Sequence, residues 1–175
     1  MVSNFDGTIT KSDLKGFIYG LINKINEWCH SGVIKLFSKI ENHSYKFIYL
    51  SARPRGLKTR KLLEEINQNG KILPNGPILL NPCNILNGIH QHYMNKSHKF
   101  KISYLKKIIE LFLVNLIVAG FGNQSTDQIA YKKCGIPHIF LINQKSELVF
   151  NSTKSSYDGL ADDAIFHEIF PPLKN

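Results

Sequence analysis

Short apolar runs bounded by Gly and Pro alternate along this chain with segments of helical period, and few architectures accept that order. Parallel strands need a crossover helix between them, and the helices then cover the faces of the sheet. Strands buried on both faces read as near-continuous apolar runs. Residues 46–50, 77–80, 116–119 and 138–142 have that character. Helical spacing places Val33, Ile34, Phe37 and Ile40 on one face of a helix over 31–40. It predicts further helices over 57–68, stopped by Asn69-Gly70, and over 98–112, with Leu105, Ile108, Ile109 and Phe112 on one stripe. Ser125 and Gln128 are spaced as a capping box for a helix ending near Gly135. Residues 81–98 read as irregular, and 156–170 as one short helix stopped by Pro171-Pro172. The expected fold is α/β: a three-layer, Rossmann-like parallel sheet with helices on both faces, one domain over 1–175, and no large cap domain.

The first strand is short. Only Met1-Val2-Ser3 precede a polar motif, where a strand commonly has about five or six residues. That shortness predicts a truncated strand, in a chain that starts inside a longer parent.

Other features narrow the setting. No apolar run reaches the roughly 20 residues a membrane-spanning helix needs; the longest, 111–119, is broken by Asn115 and reads as a helix end joined to a buried strand. Polar and acidic residues by position 6 do not match a secretory signal. Cys29, Cys83 and Cys134 share no metal-ligand spacing, and their odd number argues against a disulfide framework, so a reducing, intracellular compartment is expected. Trp28 reads as a core or subdomain anchor. The formal charge of +9 fits either a solvated basic surface or attraction to an anionic partner. The lysines are dispersed and no nucleic-acid module appears, so no nucleic acid is expected; among anionic partners a phospholipid surface is the better match.

In an open parallel sheet, ligands gather at the carboxyl ends of the strands. Polar clusters fall there: Asn4, Asp6, Gly7 and Thr8; Ser51-Ala52-Arg53; Lys96, Lys99 and Lys101; and Gly122-Asn123 with Asp127. Each has an ordinary explanation alone, since such Ser and Asp residues usually serve as caps and lysines as surface charge. Their order on alternating strands is what points to phosphoryl chemistry. That chemistry needs a nucleophile, an acid/base nearby, a cation held by hard oxygens, and donors for the phosphate.

These stretches resemble the catalytic (LNS2) domain of lipins, the Mg²⁺-dependent phosphatidate phosphatases of the haloacid-dehalogenase-like superfamily. The matching text is Asp6-Gly7-Thr8-Ile9-Thr10-Lys11-Ser12-Asp13, Tyr49-Leu50-Ser51-Ala52-Arg53, Gly76-Pro77-Ile78-Leu79-Leu80, Lys99-Phe100-Lys101, and Ala119-Gly120-Phe121-Gly122-Asn123 with Thr126-Asp127. The tail from Lys154 to Pro171 resembles the end of that domain as well. The resemblance implies a nucleophile at position 4, Asp6 as general acid/base and as a backbone ligand to Mg²⁺, and Asn4, Asn123 and Asp127 completing the metal site. It also implies Ser51 and Thr8 at the phosphate loop, and Lys101 as its cation, with Lys96 competing for that role. Phosphatidate or another anionic phospholipid would be the ligand, met peripherally at the endoplasmic reticulum or another internal membrane, with the nucleus also open.

Two departures matter. Position 4 is Asn, so the carboxylate that would become an aspartyl-phosphate is gone, and with it a negative charge for Mg²⁺. The N-terminal lipin region, with its immunoglobulin-like strands and amphipathic helix, is expected to be missing. Three readings follow: a phosphatidate phosphatase domain inactive as written because position 4 was engineered, lesioned or misread; a natural pseudophosphatase that binds phosphatidate, like the related domain of phosphatidylinositol transfer proteins; or a degenerate, truncated gene product.

Overall fold

A computed structural model describes residues 1–11, 28–54, 59–81, 90–112 and 114–173, with side chains for all of these except 54 and 90–98. In chain order its elements are β1 (Val2–Asn4), α1 (Val33–Asn42), β2 (Ile48–Pro54), α2 (Thr59–Glu65), β3 (Asn67–Gln68), β4 (Lys71–Ile72), β5 (Ile78–Asn81) and α3 (His90–Phe112). They continue with β6 (Ala119–Gly122), α4 (Ser125–Lys133), β7 (His138–Ile142), β8 (Leu148–Phe150), β9 (Thr153–Ser155), α5 (Tyr157–Asp162) and α6 (Ile165–Ile169). The main sheet has the order β5-β2-β1-β6-β7-β8-β9. Strands β5, β2, β1, β6 and β7 run parallel, and β8 and β9 add an antiparallel edge.

Short as it is, β1 lies in the middle of the sheet. Val2 is opposite Ile48 on one side and Gly120 on the other. The chain winds outward from β1 to β2 and β5, then returns to lay β6 against the free side of β1. That reversal makes a topological switch point, where an α/β sheet opens a crevice beyond its strand ends. Alternation along the strands feeds two cores. Phe5 and Tyr49 pack with α1, α2, α5 and α6; Val2 and Leu50 pack with Leu105 of α3 and Tyr131 of α4. On the first face Phe37 stacks on Phe47 at 4.7 Å, and Phe121 on Phe140 at 4.8 Å, between ring centroids. Burying such rings supplies much of the apolar driving force. Helices thus cover both faces, as expected from the alternating pattern.

Several boundaries differ from the sequence reading. Strand β2 runs on through Ser51 and Arg53, so that cluster is the strand's own end and not the loop after it. Helix α2 stops at Glu65, and Asn69-Gly70 instead turns the β3–β4 hairpin, with φ of 53° and 78° at the two residues. Asn-Gly with both φ positive is the favoured two-residue hairpin turn, whose twist matches that of paired strands. Helix α3 reaches back to His90, into what reads as irregular sequence. Residues 82–89, including Cys83, lie outside the described residues. Strand β6 begins at Ala119 and includes Gly120-Phe121-Gly122. Strands β8 and β9 are additional to the expected elements, and the tail forms two helices where one is expected. Phe112 is 56% exposed, as are its neighbours Leu111, Val114 and Leu116 to similar or greater degrees, so the α3 stripe buries only its Leu105 end fully. Trp28 is half-buried, where its carbonyl accepts from Lys11 N at 2.8 Å and closes the excursion after β1.

His30 sits at that closure, fully buried, with Nδ1 2.8 Å from Ser146 Oγ in the β7–β8 turn. Burial pushes its pKa from 6.5 down to about 4, with Lys11 adding repulsion and hydrogen bonding to the backbone of Gly7 and Thr10 partly offsetting both. The folded pKa lies below the unfolded one, so the neutral ring's contribution is full above about pH 6.5 and is lost as pH falls through about 4. Urea unfolding of the chain should therefore lose on the order of 3 kcal/mol across that window, and His30→Gln should show a flatter profile.

Candidate functional site

The site is built where β1 and β6 diverge. After Asn4 the chain turns tightly: Thr8 N and Ile9 N both donate to Phe5 O, at 3.4 and 3.0 Å. Gly7 takes φ 75°, a conformation open to glycine at little cost, and its N–H donates to Thr10 Oγ1 at 3.1 Å. Tyr157 OH donates to Thr8 O at 2.8 Å and pins the loop from below. On the partner strand, a Cβ on Gly122 would stand 2.5 Å from Asp127 Cβ, so glycine lets α4 start directly against β6. The capping box forms one residue earlier than the sequence suggests. Gln124 is the N-cap and Asp127 the N3 residue, which receives the N–H groups of Asn123 and Gln124 at 3.1 Å each. The carboxylate was legible as a site residue; its second role as the helix cap was not.

Six of the nominated residues meet directly. Asn4 Nδ2 donates to Asp6 O at 2.7 Å and to Asn123 Oδ1 at 2.9 Å. Lys101 Nζ, buried within α3, donates to Asn4 Oδ1 at 3.0 Å and also to Asp127 Oδ1. Thr8 Oγ1 donates to Asn123 Oδ1 at 3.2 Å. The orientation of the Asn4 amide is assigned by these partners, because an ammonium only donates and must face the amide oxygen. Among the nearby lysines, Lys99 is exposed while Lys101 reaches the centre; the Lys96 side chain lies outside the described residues.

Asp6 is engaged elsewhere. Its carboxylate receives Arg53 through Nε, at 3.1 and 3.0 Å to the two oxygens, and through a terminal guanidinium nitrogen at 2.6 Å. Ser51 Oγ donates to the same carboxylate at 3.2 Å. Arg53 lies over the Phe5 ring, 4.8 Å from its centroid, and is almost fully buried. In the sequence Arg53 stands beside Ser51 with no role assigned to it. The available signal was strand period: if β2 continues, Ser51 and Arg53 face the same side. Next to this cluster opens a cleft of about 170 Å³ lined by Lys11, Asn123, Gln124, Asn143 and Gln144, a lining with one cation, several carboxamides and no carboxylate.

The donor set can be compared with the needs of Mg²⁺, which takes hard oxygens in near-octahedral array. Asn4 Oδ1, Asp6 O, Asn123 Oδ1 and Asp127 are of the right type and are gathered together. Their arrangement does not suit a cation, because Asn4 presents an N–H₂ group to two of those oxygens and its own oxygen to Lys101. Among the described residues no group of three or more His, Cys, Asp or Glu side chains could hold a metal.

The sequence matches the model of the LNS2 (Lipin/Ned1/Smp2) family over residues 1–171. It is 39% identical, across 98% of its length, to the phosphatidate phosphatase PAH1 of Arabidopsis thaliana, and 39% identical across 99% to the phosphatidate phosphatase LPIN1 of Homo sapiens. Phosphatidic acid phosphohydrolase 1 of Saccharomyces cerevisiae is 36% identical across 99% of the chain. The chain spans about a fifth of the length of each of these relatives: 20%, 20% and 22%. With the switch-point site and coverage of nearly every described element, the chain belongs to the LNS2 (Lipin/Ned1/Smp2) family.

Proposed function

We propose that this chain is a lipin-type phosphatidate site that holds a phosphomonoester and does not cleave it. One observation carries the reading: the carboxamide of Asn4 stands where the family pattern places the attacking carboxylate, with its oxygen receiving Lys101 at 3.0 Å. An amide oxygen is a weak nucleophile, and here its lone pair already faces an ammonium. Asp6, the acid/base by position, has its carboxylate held by Arg53 and Ser51. The rest suits binding. Lys101 and Arg53 balance Asp6 and Asp127, so the described site carries no excess negative charge to repel a phosphate dianion. Ser51, Thr8 and the guanidinium fork of Arg53 supply donors of the kind phosphate oxygens take. Mg²⁺ is the ion this donor set would take once position 4 is a carboxylate. The charge of +9 favours a peripheral position at an anionic internal membrane, such as the endoplasmic reticulum.

Liposome flotation tests the binding reading. Vesicles containing phosphatidate should retain the chain, and Ser51→Ala should weaken retention. Equal retention on phosphatidylserine vesicles of matched charge would reduce the interaction to nonspecific attraction and sink the proposal.

A further inference from the structure

We infer that the phosphate site of this chain is assembled without a divalent cation, because the amide N–H₂ of Asn4 draws together the oxygens that a cation would otherwise join. The inference rests on the binding reading above and adds to it the ionic requirement of the site.

Asn4 Nδ2 has two protons and two acceptors. One is Asp6 O, on the loop after β1; the other is Asn123 Oδ1, after β6. The two loops that flank the switch point are thereby tied by one neutral donor, and its hydrogen-bonding capacity is filled. Its orientation is locked from the opposite side. Turning the amide over would set Nδ2 against the Lys101 ammonium and Oδ1 against two acceptor oxygens, replacing three hydrogen bonds with donor–donor and acceptor–acceptor contacts.

Charge points the same way. Asp127 is the one carboxylate among the nominated ligand side chains, since Asp6 offers its carbonyl. Lys101 neutralises Asp127 through Oδ1, and two backbone N–H groups take Oδ2. A divalent ion entering here would meet neutral oxygens already in use and a buried ammonium beside them.

A carboxylate at position 4 would put an oxygen where Nδ2 now stands, facing Asp6 O and Asn123 Oδ1 at distances of 2.7 and 2.9 Å with no proton between them. Three oxygens so placed repel unless a cation lies among them. The same exchange of O for N–H₂ that removes the nucleophile therefore removes the need for the metal.

The test uses Mn²⁺ as a spectroscopic probe and Mg²⁺ as the physiological ion. Electron paramagnetic resonance should show Mn²⁺ staying free in the presence of the unaltered chain and becoming bound by Asn4→Asp. Thermal unfolding should show no rise in Tm with Mg²⁺ for the unaltered chain and a rise of several degrees for Asn4→Asp. Retention of a soluble short-chain phosphatidate by the unaltered chain should be the same in chelator and in Mg²⁺. Mn²⁺ bound tightly by the unaltered chain overturns the inference outright, even if Asn4→Asp does not fold. Absence of binding by both proteins overturns the assignment to Asn4. Phosphatidate retained only with Mg²⁺ refutes the inference and leaves the binding reading standing. No retention under either condition, with Mn²⁺ free, removes the binding reading and leaves the metal inference intact.

Discussion

Asn4→Asp is expected to release phosphate from phosphatidate in a Mg²⁺-dependent reaction for which the unaltered chain shows no measurable rate. The expected gain is large because phosphoryl transfer through a covalent intermediate has no substitute for its attacking atom; removing such a nucleophile costs on the order of 10⁴–10⁶-fold in enzymes that depend on one. The remaining parts are in place to serve it. Lys101 would hold the new carboxylate in line, as it now holds the Asn4 amide oxygen. Thr8 and Asn123 already fix the loops on either side. Asp6 would have to leave Arg53 to protonate the leaving oxygen, and an incoming phosphate gives Arg53 an alternative partner of the same charge. A colorimetric phosphate assay on phosphatidate in detergent micelles, with and without chelator, makes the comparison, and Asn4→Ala serves as the inactive control. Turnover by the unaltered chain would show that position 4 does not disable the site. A silent Asn4→Asp that remains folded would show that further parts were lost.

The second large effect concerns stability. Lys101→Met should destabilise the fold by about 3–5 kcal/mol, since it strands the Asp127 carboxylate in a fully buried position. Asp127→Ala should cost at least as much. It leaves the Lys101 ammonium buried without its counter-charge, unpairs two N–H groups at the start of α4, and removes the side chain that closes the capping box. Midpoints of urea unfolding read both effects. A loss below 1 kcal/mol for either variant would mean that water or a neighbouring side chain relieves the stranded charge. The outcome also bears on binding assays: loss of retention in Lys101→Met reports unfolding as much as lost contact, which is why Ser51→Ala is the cleaner probe.

Spacing specifies an element where its period and its end signals agree. Strand β7 coincides with the apolar run 138–142, because Gly and Pro end the preceding segment and the run is short and unbroken. Helix α1 lies within two residues of the expected 31–40, on its buried face of Val33, Ile34, Phe37 and Ile40. Asn69-Gly70 is ambiguous in sequence because the same dipeptide ends helices and turns strands, and the difference lies in whether the flanking residues find a partner strand. The β8–β9 edge leaves no sequence signal for a related reason: three-residue strands carry too little periodicity to register, and here they exist because β8 pairs onto β7 and β9 onto β8.

At the site, identity and connection separate in the same way. Asn4, Asp6, Thr8, Ser51, Asn123 and Asp127 could be picked from the chain because strand ends on a parallel sheet are few and their polar residues stand out against apolar runs. Lys101 is named by the resemblance of Lys99-Phe100-Lys101, with Lys96 as a competitor. Its burial against Asn4 and Asp127 is visible only in the fold, since a lysine on a helix surface looks the same in sequence as one whose stem is buried. Arg53 needs the fold more. Its grip on Asp6 depends on β2 continuing past Ser51, a matter of pairing with β5 and not of local composition. Covalent order and hydrophobic period specify the α/β layers and the polar strand ends, because those are properties of spacing and residue type. The missing carboxylate is legible through the resemblance of residues 4–8 to the lipin pattern, and the switch point only in the strand order of the sheet. Which atom of Asn4 faces Lys101, and which faces the oxygens of Asp6 and Asn123, became definite only once 119 residues of separation were closed between β1 and β6. Hydrogen-bond direction is a property of atoms brought together by folding, and on that direction turns whether the site calls for a cation.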